Sequence, residues 1–142
     1  MKRLILLSCL VLGLIGCGQK QSIDTLADTA YEWEKAYMDS DYERQQQLVF
    51  KKGSYTVDKD SEKEESCLKK KDVSVQLYYD SESDRYIALT DYINPQKGNQ
   101  VQSEWVLREK EDSWKIDTEA SRDITREHVQ ELECVSCEKG EQ

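Results

Sequence analysis

The chain has 142 residues and a formal net charge of −9, with 29 acidic against 20 basic residues. This length suits one small domain, and an acidic surface repels phosphate backbones, so nucleic acid is not expected as a partner. Three tryptophans and eight tyrosines provide enough aromatic surface for a compact core, which excludes a wholly disordered chain.

The first 16 residues have the parts of a secretory signal peptide. Lys2 and Arg3 give it a positive start, and the apolar run at residues 4–14 is shorter than the roughly 20 residues of a spanning helix. The string that follows, Leu14-Ile15-Gly16-Cys17, resembles the bacterial lipobox. The resemblance implies cleavage before Cys17 and attachment of a diacylglyceryl group to its thiol. Such a protein is anchored in the cell membrane and faces the extracytoplasmic side, and loss of Lys2 and Arg3 would change its net charge from −9 to −11.

The next part of the chain is expected to be helical. After a polar tether at residues 17–22, Leu26, Ala30 and Trp33 recur at helical spacing and predict an amphipathic helix over residues 24–38. Ser40 followed by Glu43 has the capping-box pattern, which predicts a second helix over residues 41–49. Residues 53–58 are a candidate strand, and the mixed-charge run at residues 59–72 is expected to be a loop with a helical turn.

From residue 73 the apolar period changes to two, which predicts an antiparallel meander. Strands are expected at residues 73–79, 86–93 and 101–108 and from residue 114, separated by polar turns at residues 80–84, 94–99 and 109–113. Helices followed by a meander predict an α+β fold in which one sheet face packs on the first helix. The residues expected on that face are Val73, Val75, Leu77, Ile87, Leu89, Trp105, Leu107, Trp114 and Ile116.

The opposite sheet face is a candidate partner surface. Its residues are expected to be Ser74, Gln76, Tyr78, Tyr86, Ala88, Thr90, Tyr92, Gln102, Glu104, Val106 and Arg108. The candidate contact residues are Tyr78, Tyr86, Tyr92 and Val106, because tyrosine gives a large contact area at low entropic cost. Two alternatives stay open. Cross-strand aromatic pairs need no partner, and the C-terminal tail could cover this face through Ile124, Val129 and Leu132.

Two segments resemble NTF2-like (cystatin-like) domains. Residues 33–44, WEKAYMDSDYER, are similar to their helix–break–helix opening, and residues 104–117, EWVLREKEDSWKID, are similar to their last hairpin. The resemblance covers residues 24–117 and implies N-terminal helices packed on a curved antiparallel sheet, with the domain at residues 23–118. This family contains both enzymes and binding modules, so its function depends on the site.

Few residues point to chemistry, and no cofactor is expected. The sequence has no phosphate-binding glycine loop, no HExxH motif and no triad that can be assembled around His128. Asp91, on the stripe expected to face the helix, is the one candidate general base. The acidic C-terminal tail covers residues 119–142, and its ending after Cys134 is expected to be disordered. In this tail, Cys134 and Cys137 can form or join a disulfide with each other or with Cys67. The alternative is a zinc site that adds Cys67 and His128.

These features predict a lipid-anchored extracytoplasmic binding module without catalytic activity, whose partner is an envelope protein. Three alternatives remain open at this point. The first is an exclusion or immunity lipoprotein of a mobile element that acts on conjugation machinery. The second is an inhibitor of a basic secreted enzyme, suggested by the acidic charge, and the third is an NTF2-like enzyme that uses Asp91.

Overall fold

The computed structural model describes residues 17–54 and 56–137, and for residues 17–21 only the backbone. The predicted signal peptide therefore lies outside the described residues. Within them, no helix combines the length and the apolar character needed to cross a membrane.

Two helices begin the described chain, α1 (Cys17–Met38) and α2 (Tyr42–Leu48). Both predicted helices are confirmed, but α1 begins at Cys17, so the predicted tether at residues 17–22 is helical. Ser40 lies between the two helices and has a left-handed backbone conformation, with φ 52°. Asp41, rather than the predicted Ser40, caps α2, because its side chain accepts a hydrogen bond from the Arg44 amide at 3.0 Å.

The predicted strand at residues 53–58 is wrong, since its described residues form bends and turns. The buried side chain of Gln45 holds this segment instead. Its amide donates to the Thr56 hydroxyl at 2.8 Å, and its carbonyl accepts from the Val57 amide at 3.1 Å. The bond to the Val57 amide satisfies a backbone group that a strand would pair in a ladder. The following loop ends in the expected helical turn, Lys70–Asp72.

One five-stranded sheet carries the fold. Its strands are β1 (Ser74–Asp80), β2 (Arg85–Ile93), β3 (Gln100–Lys110), β4 (Ser113–Asp117) and β5 (Glu133–Ser136). They lie in the order β4-β3-β2-β1-β5, and every neighbouring pair is antiparallel. The first four strands are the predicted meander, so the α+β class is confirmed. The fifth strand was not predicted.

The C-terminal segment, residues 118–137, packs on the sheet rather than forming a free acidic tail. It contains α3 (Thr118–Ser121), α4 (Arg126–Gln130) and β5, which pairs with β1. The expectation of disorder after Cys134 is wrong as far as Cys137. The segment covers an apolar face whose exposure to water would be unfavourable. The covered residues are Tyr78, Ile87, Leu89 and Val106, and the covering residues are Ala120, Ile124, Val129, Leu132 and Cys137.

The two faces of β2 are the reverse of the prediction. Tyr86 and Ala88 pack on the α1 side of the sheet, whereas Ile87 and Leu89 lie beneath the C-terminal segment. Because side chains alternate along a strand, a one-residue error in phase exchanges the two faces completely. Both faces of β2 are covered, so its apolar residues do not mark which face is inside.

This reversal removes the candidate partner surface. Tyr86 is partly buried and packs against the core on the α1 side, and Tyr92 is buried on the same side. Tyr78 and Val106 are on the face away from α1, but the C-terminal segment buries them. The alternative in which Ile124, Val129 and Leu132 cover this face is confirmed.

Asp39 joins the end of α1 to the long loop before β1. Its carboxylate accepts from the Ser66 amide at 2.9 Å and pairs with Lys35, and its carbonyl accepts from the Glu64 amide at 2.7 Å. Burial alone would raise the pKa of Asp39, but the hydrogen bonds from Lys35 and Ser66 outweigh it and hold this pKa below its usual range.

We expect Asp39→Asn to lower the free energy of unfolding by about 1–3 kcal/mol at pH 7. Since the pKa is depressed in the folded state, the stabilisation is complete above the unfolded value of about 4 and is lost as the pH falls through the folded value. The difference in free energy of unfolding between the wild type and Asp39→Asn should therefore be smaller at pH 3 than at pH 7, as measured by urea denaturation. The exposed Asp60→Asn is the control, and an equal deficit at both pH values would contradict the prediction.

Candidate functional site

Glu34 is a carboxylate buried between α1 and the sheet, with 1% of its surface exposed. It follows Trp33 directly and lies one helical turn after Ala30, both of which are in the core. Side chains four residues apart share a helix face, so the stripe that packs α1 on the sheet also carries Glu34 inward.

Three donors from the sheet bind this carboxylate. The Thr90 hydroxyl and the Trp105 indole nitrogen donate to Oε1 at 2.6 and 2.7 Å, and the Tyr92 hydroxyl donates to Oε2 at 3.0 Å. Thr90 and Tyr92 are two residues apart on one face of β2, and Trp105 comes from the neighbouring β3. Burial, and then the charge of Glu34, raise the pKa of Tyr92, so its phenol stays protonated and can donate.

A cavity of about 310 Å³ opens beside Glu34. Tyr37, one turn further along α1 and 45% exposed, is one of the residues that line it. The Trp105 ring forms another wall and is fixed from behind by an edge-on contact with Trp33, with 5.5 Å between ring centroids. The remaining lining residues are Thr56, Val101 and Ser103.

Glu34 forms no ion pair within the described part of the chain, and the three donors that its carboxylate binds are all neutral. Lys35, which follows Glu34 directly in the sequence, pairs instead with Asp39, four residues further along the chain. Buried charges in proteins are normally paired. The site therefore combines two aromatic side chains, Tyr37 and Trp105, with a buried carboxylate that forms no ion pair.

Asp91 lies outside this cavity, on the sheet face beneath the C-terminal segment. Arg126 of α4 binds it through Nη1 at 2.8 Å and binds Glu104 through Nε at 2.9 Å. The same guanidinium donates to the Thr90 carbonyl at 3.2 Å. The expectation that Asp91 faces the helix is wrong because it depends on the reversed phase of β2.

The structure pairs Cys134 with Cys137 in a disulfide, with 6.0 Å between their Cα atoms. Cys67 is exposed and free, so neither of its alternative pairings is formed. His128 is exposed on α4. Among the side chains that the structure describes, no three histidine, cysteine or acidic groups are placed so that they could hold a metal ion.

Glu34 is the site residue that sequence reasoning missed. A local signal exists, since this acidic residue lies inside an apolar stripe, one turn from Ala30 and beside Trp33. Its partners could be identified only with the correct phase of β2.

No protein-family model matches the chain, and no curated protein or solved structure matches it either. The site must therefore be interpreted from its own geometry.

Proposed function

We propose that this protein is a lipoprotein whose domain acts as a non-catalytic binding module on the extracytoplasmic side of the cell membrane. The anchor is proposed from Leu14-Ile15-Gly16-Cys17 after an apolar run. Two acyl chains give stable anchoring where one gives only marginal binding. An acidic domain does not bind an anionic membrane by charge, so the lipid on Cys17 supplies the attachment.

The observation that carries the binding proposal is the cavity whose lining includes Glu34. Its size is at the lower end for ligand sites, and its aromatic walls and few polar groups are typical of them. The carboxylate accepts three fixed hydrogen bonds, which favours a positioned charge over a mobile general base. Asp91 lies outside this cavity and is bound by Arg126.

The helices and the meander also support an NTF2-like (cystatin-like) identity as part of this proposal. A helix, a break at Ser40, a second helix and an antiparallel meander follow in the expected order. The site lies where the first helix crosses the sheet. The proposed partner is an envelope protein, or a ligand that is carried by that envelope protein.

The anchor is tested by replacing its thiol. We expect Cys17→Ser to abolish labelling by a fatty-acid probe and to prevent normal processing, because the serine hydroxyl does not form the thioether. The readouts are in-gel detection of the probe and the mass of the processed chain. Cys67→Ser, which removes the exposed free thiol, is the matched control and should keep full labelling. A labelled Cys17→Ser protein would refute the anchor.

A further inference from the structure

We propose that the Glu34 cavity binds an organic cation, an alkylammonium group. This inference rests on the proposed binding function and names the chemical class of its ligand. Such a group arises from two sources, a free small amine or a lysine side chain of an envelope protein. The recognition chemistry is the same for both.

The first support is the charge balance of the site. Glu34 is 99% buried, binds only neutral donors and forms no ion pair with any described basic side chain. A buried charge of this kind is costly unless an opposite charge lies close to it. An ammonium group in the cavity would supply that charge, and beside a buried carboxylate the attraction is stronger than in bulk water.

The second support is the pair of aromatic walls. Tyr37 and Trp105 border the same cavity, and a cation is attracted to the face of such rings within about 6 Å. The Trp105 indole is fixed by its hydrogen bond to Glu34 and by its contact with Trp33, so little ordering is needed on binding. A neutral apolar ligand would contact the aromatic walls but would provide no positive charge opposite Glu34.

The third support is the shape and the rim. The cavity is partly open to solvent, and Tyr37, which lines it, is 45% exposed, so a chain bearing the ammonium can continue outside it. The hydroxyls of Ser103 and Thr56 line it and can accept from the N–H groups of an ammonium. A cavity of about 310 Å³ accommodates a short alkyl chain with its head group.

The test is calorimetric titration of the full lipidated protein in non-ionic micelles with n-butylammonium chloride and with butan-1-ol. These probes share the chain and differ in charge. We expect the ammonium to bind at least tenfold more tightly than the alcohol. Equal binding of the two, or no heat with the ammonium at tens of millimolar, would overturn the proposal.

Variants locate the binding. Tyr37→Leu removes the ring from an exposed position and should weaken ammonium binding about two- to fivefold, while Tyr37→Phe should keep it. Glu34→Gln removes the charge and should weaken binding about tenfold or more. Should Glu34→Gln not fold, the Tyr37 pair still decides, and an unchanged affinity in Tyr37→Leu would refute the site.

Two further measurements separate the sources and the two proposals. A lysine-containing peptide that binds more tightly than butylammonium, with loss of binding on lysine acetylation, assigns the cation to a protein partner. Binding of the small amine alone assigns it to a free ligand. Mass spectrometry of the recovered probe then tests the non-catalytic function, because chemical conversion would refute that function while leaving the cation site intact.

Discussion

Replacing Trp33 with alanine is expected to lower the free energy of unfolding by about 3–5 kcal/mol. The indole is completely buried and packs with Leu26, Ala30 and the sheet residues of the main core, and it also supports Trp105. Its removal leaves a cavity at the contact between α1 and the sheet, which the surrounding backbone can fill only in part. Urea denaturation followed by far-UV circular dichroism measures the loss.

Trp33→Phe is the matched control. The Trp33 indole nitrogen is buried without a hydrogen-bond partner in the described structure. Phenylalanine removes this unsatisfied donor and its desolvation cost while keeping most of the ring volume, so we expect a loss below about 1.5 kcal/mol. If Trp33→Ala also lost less than about 1 kcal/mol, the helix would not pack on the sheet as described.

Replacing Arg126 with methionine is expected to lower the free energy of unfolding by about 2–4 kcal/mol. Arg126 holds Asp91 and Glu104 together, and its side chain is only 19% exposed. Methionine would leave two carboxylates under the C-terminal segment without their cation. The loosened segment should also be cleaved faster by protease, with new sites between residues 118 and 137.

Two controls distinguish this effect from loss of packing. Arg122→Met changes an exposed arginine near α3 and should alter stability by less than about 0.5 kcal/mol. Adding Asp91→Asn to Arg126→Met removes one of the stranded charges and should recover part of the loss. An Arg126→Met protein with unchanged stability and unchanged protease resistance would show that the ion cluster does not hold the segment.

The helices and the meander could be predicted because their signals are local. Leu26, Ala30 and Trp33 mark one helix face, and the turns around Pro95 and Gly98 separate the strands. Which side chains of β2 face α1 could not be predicted in this way. Ile87 and Ala88 lie on opposite faces of the strand, and both are fully buried. Alternation locates a face only when the other face is polar.

The fifth strand and the site depend on contacts between distant parts of the chain. Only four residues long, β5 carries no clear alternation and is formed through pairing with β1 and packing of its neighbours on the sheet. Aromatic composition was a similarly partial guide, because Trp33 is fully buried whereas Trp105 and Trp114 are only partly buried. Glu34 becomes recognisable once Thr90 and Tyr92 are placed opposite it.

The pairing of β5 with β1 has a consequence for when the domain can fold during biosynthesis. A growing chain emerges from its N-terminus, so β1 and β2 are made while residues 118–137 are still unsynthesised. Until those residues arrive, Tyr78, Ile87, Leu89 and Val106 have nothing to cover them. The domain can therefore complete its fold only after residues 118–137 have been synthesised. A nascent polypeptide truncated before residue 118 would expose this apolar face of the sheet to chaperones and quality-control proteases.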